Sequence, residues 1–223
     1  MNGINRKIGI TASTLGSLLG AGGIVNHGIF EVLQGNTPTN GFYIEAISES
    51  QRFWIHGTEG AFTLVHNFLL TGILVILVGA AVILWSAKYM GRKAGATVFL
   101  LLMILLTLVG GGIGHIIIFL PVWGYATRIH SPLGWWKNTI PESVRKPLSK
   151  LWPPLLTVTV ICWLIIMELG IFGYFPGLRD PDVVLNIVFA LLLSTVALAS
   201  LTFVAAIAGD LAKRESVPTR QMG

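Results

Sequence analysis

Long apolar blocks, each about the length of a membrane-crossing helix, constrain this chain more than any other feature of its sequence. Four of them cover residues 8–33, 61–85, 151–175 and 183–208. A helix needs about 20 apolar residues to cross roughly 30 Å of hydrocarbon. The composition agrees, because only 11% of the residues are charged, against about 25% in soluble domains. The sequence therefore predicts an all-α fold, a polytopic membrane helix bundle with four transmembrane helices.

A fifth uncharged stretch, 94–127, is too long for a simple crossing, since as one helix it would measure about 50 Å. The glycine-rich run Gly110–Gly114 interrupts it, because glycine weakens helices and permits tight turns. One hypothesis is a helical hairpin with segments at 95–110 and 114–127. The other is a single tilted helix that ends near Leu120, before Pro121.

The positions of the basic residues favour the hairpin. With the N-terminus inside and a hairpin in the middle, 13 of the 15 Lys and Arg lie on the inner side, and only Arg52 and Arg179 lie outside. A single crossing would export the basic segment 128–150. We therefore expect six membrane segments in the cell membrane, with an external loop at 34–60, a cytoplasmic amphipathic loop at 128–150 and both termini cytoplasmic.

Charge and cysteine content exclude several classes of function. The formal net charge is +5, but the basic residues sit between apolar blocks as topology signals, so no nucleic-acid partner is expected. Cys162 is the single cysteine of the chain. The sequence therefore excludes an intrachain disulfide, a CxxC redox pair and a cysteine-rich zinc site.

The segment 135–152, within and just after the basic loop, is amphipathic. Its apolar residues recur at four-residue spacing, at Trp136, Ile140, Val144 and Leu148. This pattern predicts a short helix on the inner membrane surface that is attracted to anionic lipid. Docking of a partner protein is the alternative.

The first span carries stripes of small residues at four-residue spacing. They are Gly9, Ser13, Ser17 and Ala21 on one stripe, and Ala12, Gly16 and Gly20 on the next. Such stripes let helix backbones approach closely. They indicate tight packing within the bundle or, alternatively, a homodimer or a larger membrane complex.

Ionisable side chains inside apolar segments are the candidates for chemistry, because they are costly in a membrane. They are His27, Glu31, His66, His115 and Glu168. In the favoured topology all of them lie in the outer half of the membrane, where His56 and Glu59 of the external loop could join them. Imidazoles and carboxylates suit zinc, iron or copper, and two imidazoles could ligate a haem. The alternative is that these groups pair with one another and hold helices together.

No phosphate-binding loop, nucleophile elbow or HExxH zinc motif is present in the sequence. One hypothesis is therefore a membrane protein that binds a metal, haem or small polar ligand at an outer His/Glu cluster. The other is a small transporter or channel, with Glu168 and the glycine turn lining a path, or an accessory scaffold subunit. The sequence does not decide whether the protein is an enzyme.

The chain also resembles small multi-pass prokaryotic membrane proteins of uncharacterised families. The resemblance rests on three segments, which read FWIHGTEGAFTLVHNFLLTG, LVGGGIGH and ATRIHSPLGWWK. It implies the same kind of fold but no activity, cofactor or site residue.

Overall fold

A computed structural model describes residues 4–215 as a helical bundle with one small sheet. The helices are α1 (Arg6–Gly22), α2 (Ile29–Leu33), α3 (Phe68–Tyr89), α4 (Gly95–Leu108), α5 (Ile116–Ala126), α6 (Gly134–Thr139), α7 (Glu142–Phe172) and α8 (Pro181–Glu215). Strands β1 (Tyr43–Glu45) and β2 (Gly60–Phe62) pair antiparallel, and a short 3₁₀ turn covers Glu49–Gln51. The predicted all-α class is confirmed.

Within residues 4–215, four helices are long and apolar enough to cross a membrane: the continuous stretch Arg6–Leu33, α3, α7 and α8. They correspond to the four predicted spans, with different ends. The second begins at Phe68 rather than at 61, because the intervening residues form β2 and a turn. The Asn67 side chain caps this helix by accepting the backbone N–H of Leu70 at 3.1 Å.

The middle segment is the predicted hairpin. α4 has 14 residues and α5 has 11, so at 1.5 Å per residue they measure only about 21 and 17 Å. Gly91 precedes α4, His130 follows α5, and His130 Nε2 lies 2.9 Å from the Gly91 carbonyl oxygen. The two helices therefore leave and return at one end of the bundle. Pro121 lies within α5 without ending it.

The amphipathic segment differs from its prediction. It does not form a separate surface helix, because α7 begins at Glu142 and continues for 31 residues into the apolar span. α6 alone precedes it as a short separate helix. The three prolines inside α7, at 147, 153 and 154, do not interrupt it.

Glycine contacts hold α1 and α2 against α3. A β-carbon on Gly20 would lie 2.7 Å from the Gly79 carbonyl oxygen, and one on Gly72 would lie 2.6 Å from the Gly28 carbonyl oxygen. The stripe that contains Gly20 thus packs inside the bundle. This close approach fixes the register between the first two spans, and with it the position of the residues at their outer ends.

The opposite end of the bundle is rich in basic residues. There the Asp210 carboxylate of α8 accepts the backbone N–H groups of Lys7 and Ile8, each at 3.1 Å. Lys7 Nζ donates to the Ser149 carbonyl oxygen of α7 at 3.3 Å. These contacts join the ends of α1, α7 and α8.

Candidate functional site

Two histidines and one glutamate converge at the end of the bundle away from the basic residues. One ligand atom from each of His27, Glu59 and His115 lies within 4.8 Å of the others. The closest pair is His27 Nε2 and Glu59 Oε2, at 3.1 Å. Both histidines are buried. A His/Glu cluster therefore exists among the described residues. It contains His27 and His115 of the predicted ligands, and Glu59 of the loop before β2 is its carboxylate.

His27 lies on a π-helical turn, Gly23–Gly28, between α1 and α2. Such turns are rare and often occur at functional sites, because they change which side chains face a neighbouring element. The local sequence favours the distortion, since glycine has low helix propensity and this turn begins and ends with it. His27 is thereby held at the wall of the site with no exposed surface.

Glu59 is positioned by the small sheet. Its backbone oxygen accepts the N–H of Ala46 at 3.1 Å, and the next residue, Gly60, accepts the N–H of Ile113 at 3.1 Å. The second bond joins the loop that carries Glu59 directly to the glycine turn between α4 and α5. The loop is therefore fixed over this end of the bundle, and the Glu59 side chain points to His27.

His115 lies directly after the glycine turn, before α5. Its Nδ1 is 2.6 Å from the Gly111 carbonyl oxygen, so Nδ1–H is the donor and Nε2 carries the free lone pair. Metal-binding histidines are oriented by this kind of backbone bond. The His115 and His27 ring centroids are 5.8 Å apart.

Glycines make this close arrangement possible. Gly112 has a φ of +90°, and a β-carbon there would collide with His27 Nε2. A β-carbon on Gly22 would lie 2.9 Å from His115 Nε2, and one on Gly114 would lie 2.6 Å from Glu59 Oε1. The backbone thus encloses the cluster on three sides.

Glu31 is buried beside this cluster, one helical turn after His27. Neither of its carboxylate oxygens has a hydrogen-bond partner among residues 4–215, and neither has His27 Nδ1. A β-carbon on Gly110 would lie 2.9 Å from Glu31 Oε1, so the carboxylate faces the glycine turn. Buried polar groups without partners are uncommon and call for a bound ion or a proton.

Glu59 remains a carboxylate at neutral pH. Burial by itself raises the pKa of Glu59. The charge of His27 and its hydrogen bond to Glu59 lower this pKa, as do the charge of His115 and the Gly114 N–H, and together they outweigh the effect of burial. The resulting pKa is about 2. The pairing with His27 therefore favours the ionised form of Glu59.

The other predicted ligands lie elsewhere. His66 is exposed in the loop before α3, with its ring centroid 5.2 Å from that of Phe42. Glu168 is on the exposed face of α7. His56 forms an ion pair with Asp182 at 2.8 Å. Helical periodicity alone does not show which candidate residues join the cluster. Glu59 reaches it through loop and strand contacts between segments that are distant in sequence.

A cavity of about 450 Å³ lies next to the cluster, between the loop that carries Glu59, the C-terminal part of α7 and the N-terminal part of α8. Glu59 and His115 line one end of it. Trp163 lines the wall, with its ring centroid 6.1 Å from that of His115. A group bound to the two ligands could therefore extend into this cavity.

Comparison with known proteins gives no match: no family model, no curated protein and no solved structure is significantly similar to the chain.

Proposed function

We propose that this protein binds one divalent transition-metal ion at the cluster of His27, Glu59 and His115. The observation that carries the proposal is the convergence of one ligand atom from each of these three residues. Next to them, His27 Nδ1 and both carboxylate oxygens of Glu31 are buried with no hydrogen-bond partner among the described residues. Two imidazoles and one carboxylate suit zinc in sites that keep a position open, and they also suit non-haem iron(II). Elemental analysis distinguishes these metals.

Charge balance supports an ion of charge +2. Glu31 and Glu59 contribute two negative charges when ionised, and two neutral imidazoles add none. One divalent cation makes the whole site neutral, which lowers the cost of burying both carboxylates. A structural ion pair of His27 with Glu59 would leave Glu31 without a counter-ion, so Glu31 would have to hold a proton.

Packing favours an ion over a haem. Gly22, Gly112 and Gly114 approach the ligands so closely that even one β-carbon would overlap them. A macrocycle between the two imidazoles has no room in this arrangement. The transport hypothesis has less support, because Glu168 lies on the exposed face of α7 and does not line the cavity beside the glycine turn.

We further propose that the protein resides in the cell membrane with both termini in the cytoplasm. The support is the gathering of the basic residues at one end of the bundle, with Arg52 and Arg179 at the other. In this orientation the metal site lies at the outer side of the membrane.

The test is elemental analysis of the full chain, purified in mild detergent without chelators and then reloaded with Zn²⁺ or, without oxygen, with Fe²⁺. We expect about one ion per chain, since three ligands of one set converge. His27→Ala, His115→Ala and Glu59→Gln should each lose most of it. His66→Ala and Glu168→Gln are the matched controls, because they remove the same residue types outside the cluster.

Folding is checked by thermal unfolding of each variant in the same detergent. Ion content that stays at one per chain in all three ligand variants, or that never rises above trace levels in the folded wild type, would overturn the proposal.

A further inference from the structure

We infer that the cavity beside the cluster binds a single-chain amphiphile, with a metal-ligating polar group at His115 and Glu59 and a hydrocarbon chain between α7 and α8. The inference rests on the proposed metal site and names the class of ligand that reaches it.

The walls of the cavity are apolar over most of their area. α7 contributes Ile166, Met167 and Ile171, and α8 contributes Val188, Phe189 and Leu192. Its volume of about 450 Å³ falls within the roughly 300–1,000 Å³ usual for small-molecule sites. The polar lining residues include Glu59 and His115 of the cluster, and Asn26, whose side-chain oxygen has no partner among the described residues. The loop adds His56 and Thr58. A metal-ligating pair beside mostly apolar walls matches an amphiphile.

The external loop closes the cavity toward the outer surface. Trp54 Nε1 donates to the Gly170 carbonyl oxygen at 3.1 Å, and His56 pairs with Asp182 at 2.8 Å. The ring of Phe53 packs against that of Phe172, with centroids 4.9 Å apart. These contacts place loop residues over the ends of α7 and α8, so a water-soluble ligand would meet a covered entrance.

The side of the cavity toward the hydrocarbon is more open. Phe189 lines the cavity and is nevertheless 54% exposed. It lies in the apolar part of α8, where exposed side chains face lipid. A ligand dissolved in the outer leaflet therefore has a lateral route past Phe189, with its polar group directed at the cluster.

The experiment uses Co²⁺-loaded protein in lipid nanodiscs and two probes with the same metal-binding group, acetohydroxamate and dodecanohydroxamate. Binding is read from the visible absorption of Co²⁺. The long-chain probe should bind more tightly, and Leu192→Trp, which fills the cavity, should reduce its affinity at least about tenfold by removing packing contacts. Acetohydroxamate binding and Co²⁺ content should not change.

Leu193→Trp is the matched control. Leu193 is the next residue of α8, is 71% exposed and does not line the cavity. Leu193→Trp is the same leucine-to-tryptophan change as Leu192→Trp, but on the lipid-facing side of α8. Any general effect of tryptophan on the bilayer or on probe partitioning therefore appears in both variants. Val188→Phe is a second filling variant if Leu192→Trp unfolds.

A metal-independent readout separates this inference from the proposed function. A photoreactive diazirine analogue of dodecanoic acid should label the cavity residues of α7 and α8, compete with dodecanoic acid and fail to label Leu192→Trp. Competable labelling without Co²⁺ binding supports the pocket and overturns the metal site. The inference is overturned if Co²⁺ binds but Leu192→Trp and Leu193→Trp show equal labelling and equal dodecanohydroxamate affinity. The metal site stands in that case. Failure of both readouts overturns both.

Discussion

Glu31 shows how strongly one buried residue constrains the chemistry of this site. It shares a helix face with His27, and neither of its oxygens meets a donor within the described residues. An ionised carboxylate without a partner is too costly for an apolar environment. Either a proton or a nearby cation must therefore accompany it, and the proposed metal ion would be such a cation.

Gly112 is required at the site for two separable reasons, its backbone conformation and its contact with His27. Gly112→Ala should lower metal affinity roughly 10–100-fold, the usual effect of disturbing the groups around metal ligands, because the new β-carbon displaces the His27 ring. The measurement is competition for Zn²⁺ with a chelator of known affinity.

Gly177→Ala is the control for backbone strain alone. Gly177 has a φ of +85°, close to that of Gly112, and a β-carbon there would meet no atom within 4 Å. Both variants therefore carry a similar conformational cost, of about 1–3 kcal/mol. Equal metal affinity in the two would show that the contact with His27 does not matter.

At the scale of helices, α7 illustrates how a proline-containing helix is held together from outside. Pro153 has no N–H to donate to the carbonyl of Ser149, four residues earlier. Lys7 Nζ donates to that oxygen instead, and the lysine also lies 5.2 Å from the centroid of the Trp152 ring. One side chain of α1 thus compensates for one of the hydrogen bonds that the three prolines remove from α7.

Asp210 caps α1 from a different helix, and its loss should destabilise the bundle. Asp210→Ala leaves two backbone N–H groups without their acceptor, which we expect to cost about 1–3 kcal/mol. Asp210→Asn retains one acceptor oxygen and should have an intermediate effect. Thermal unfolding in detergent measures both.

Metal content provides the contrast for this prediction. Asp210 lies at the end of the bundle opposite the cluster, so a folded Asp210→Asn should still bind one ion. An Asp210→Ala protein as stable as the wild type would show that water satisfies these N–H groups equally well.

For the molecule as a whole, the sequence predicted the spans, the hairpin and two members of the cluster, His27 and His115, while Glu59 was named only as a loop residue that could join them. Apolar length and the distribution of Lys and Arg are properties of continuous segments, so they could be read directly. Glu59 joins the cluster only because β2 bonds to the glycine turn, and no local pattern encodes that contact. The first residues of α3 and α7 also differ from the prediction. Strand β2 and the capping residue Asn67 precede α3, and α7 starts earlier than predicted because it tolerates three prolines.

Orientation in the membrane is tested by labelling single cysteines in a Cys162→Ala background. Ser143 and Ser50 are both exposed, at opposite ends of the bundle. Because basic segments stay inside, a membrane-impermeant maleimide should label Ser50→Cys in intact cells and label Ser143→Cys only after permeabilisation. The reverse pattern would place the cluster at the cytoplasmic side.

The order of the three ligands along the chain has a consequence for biogenesis. His27, Glu59 and His115 all precede α7, so they leave the ribosome before α7 and α8 are made. The glycine turn and the external loop can close around an ion at that stage, using only the bonds among the first helices and the sheet. α7 and α8 are made later, and the Trp163 ring of α7 then packs beside His115, with ring centroids 6.1 Å apart.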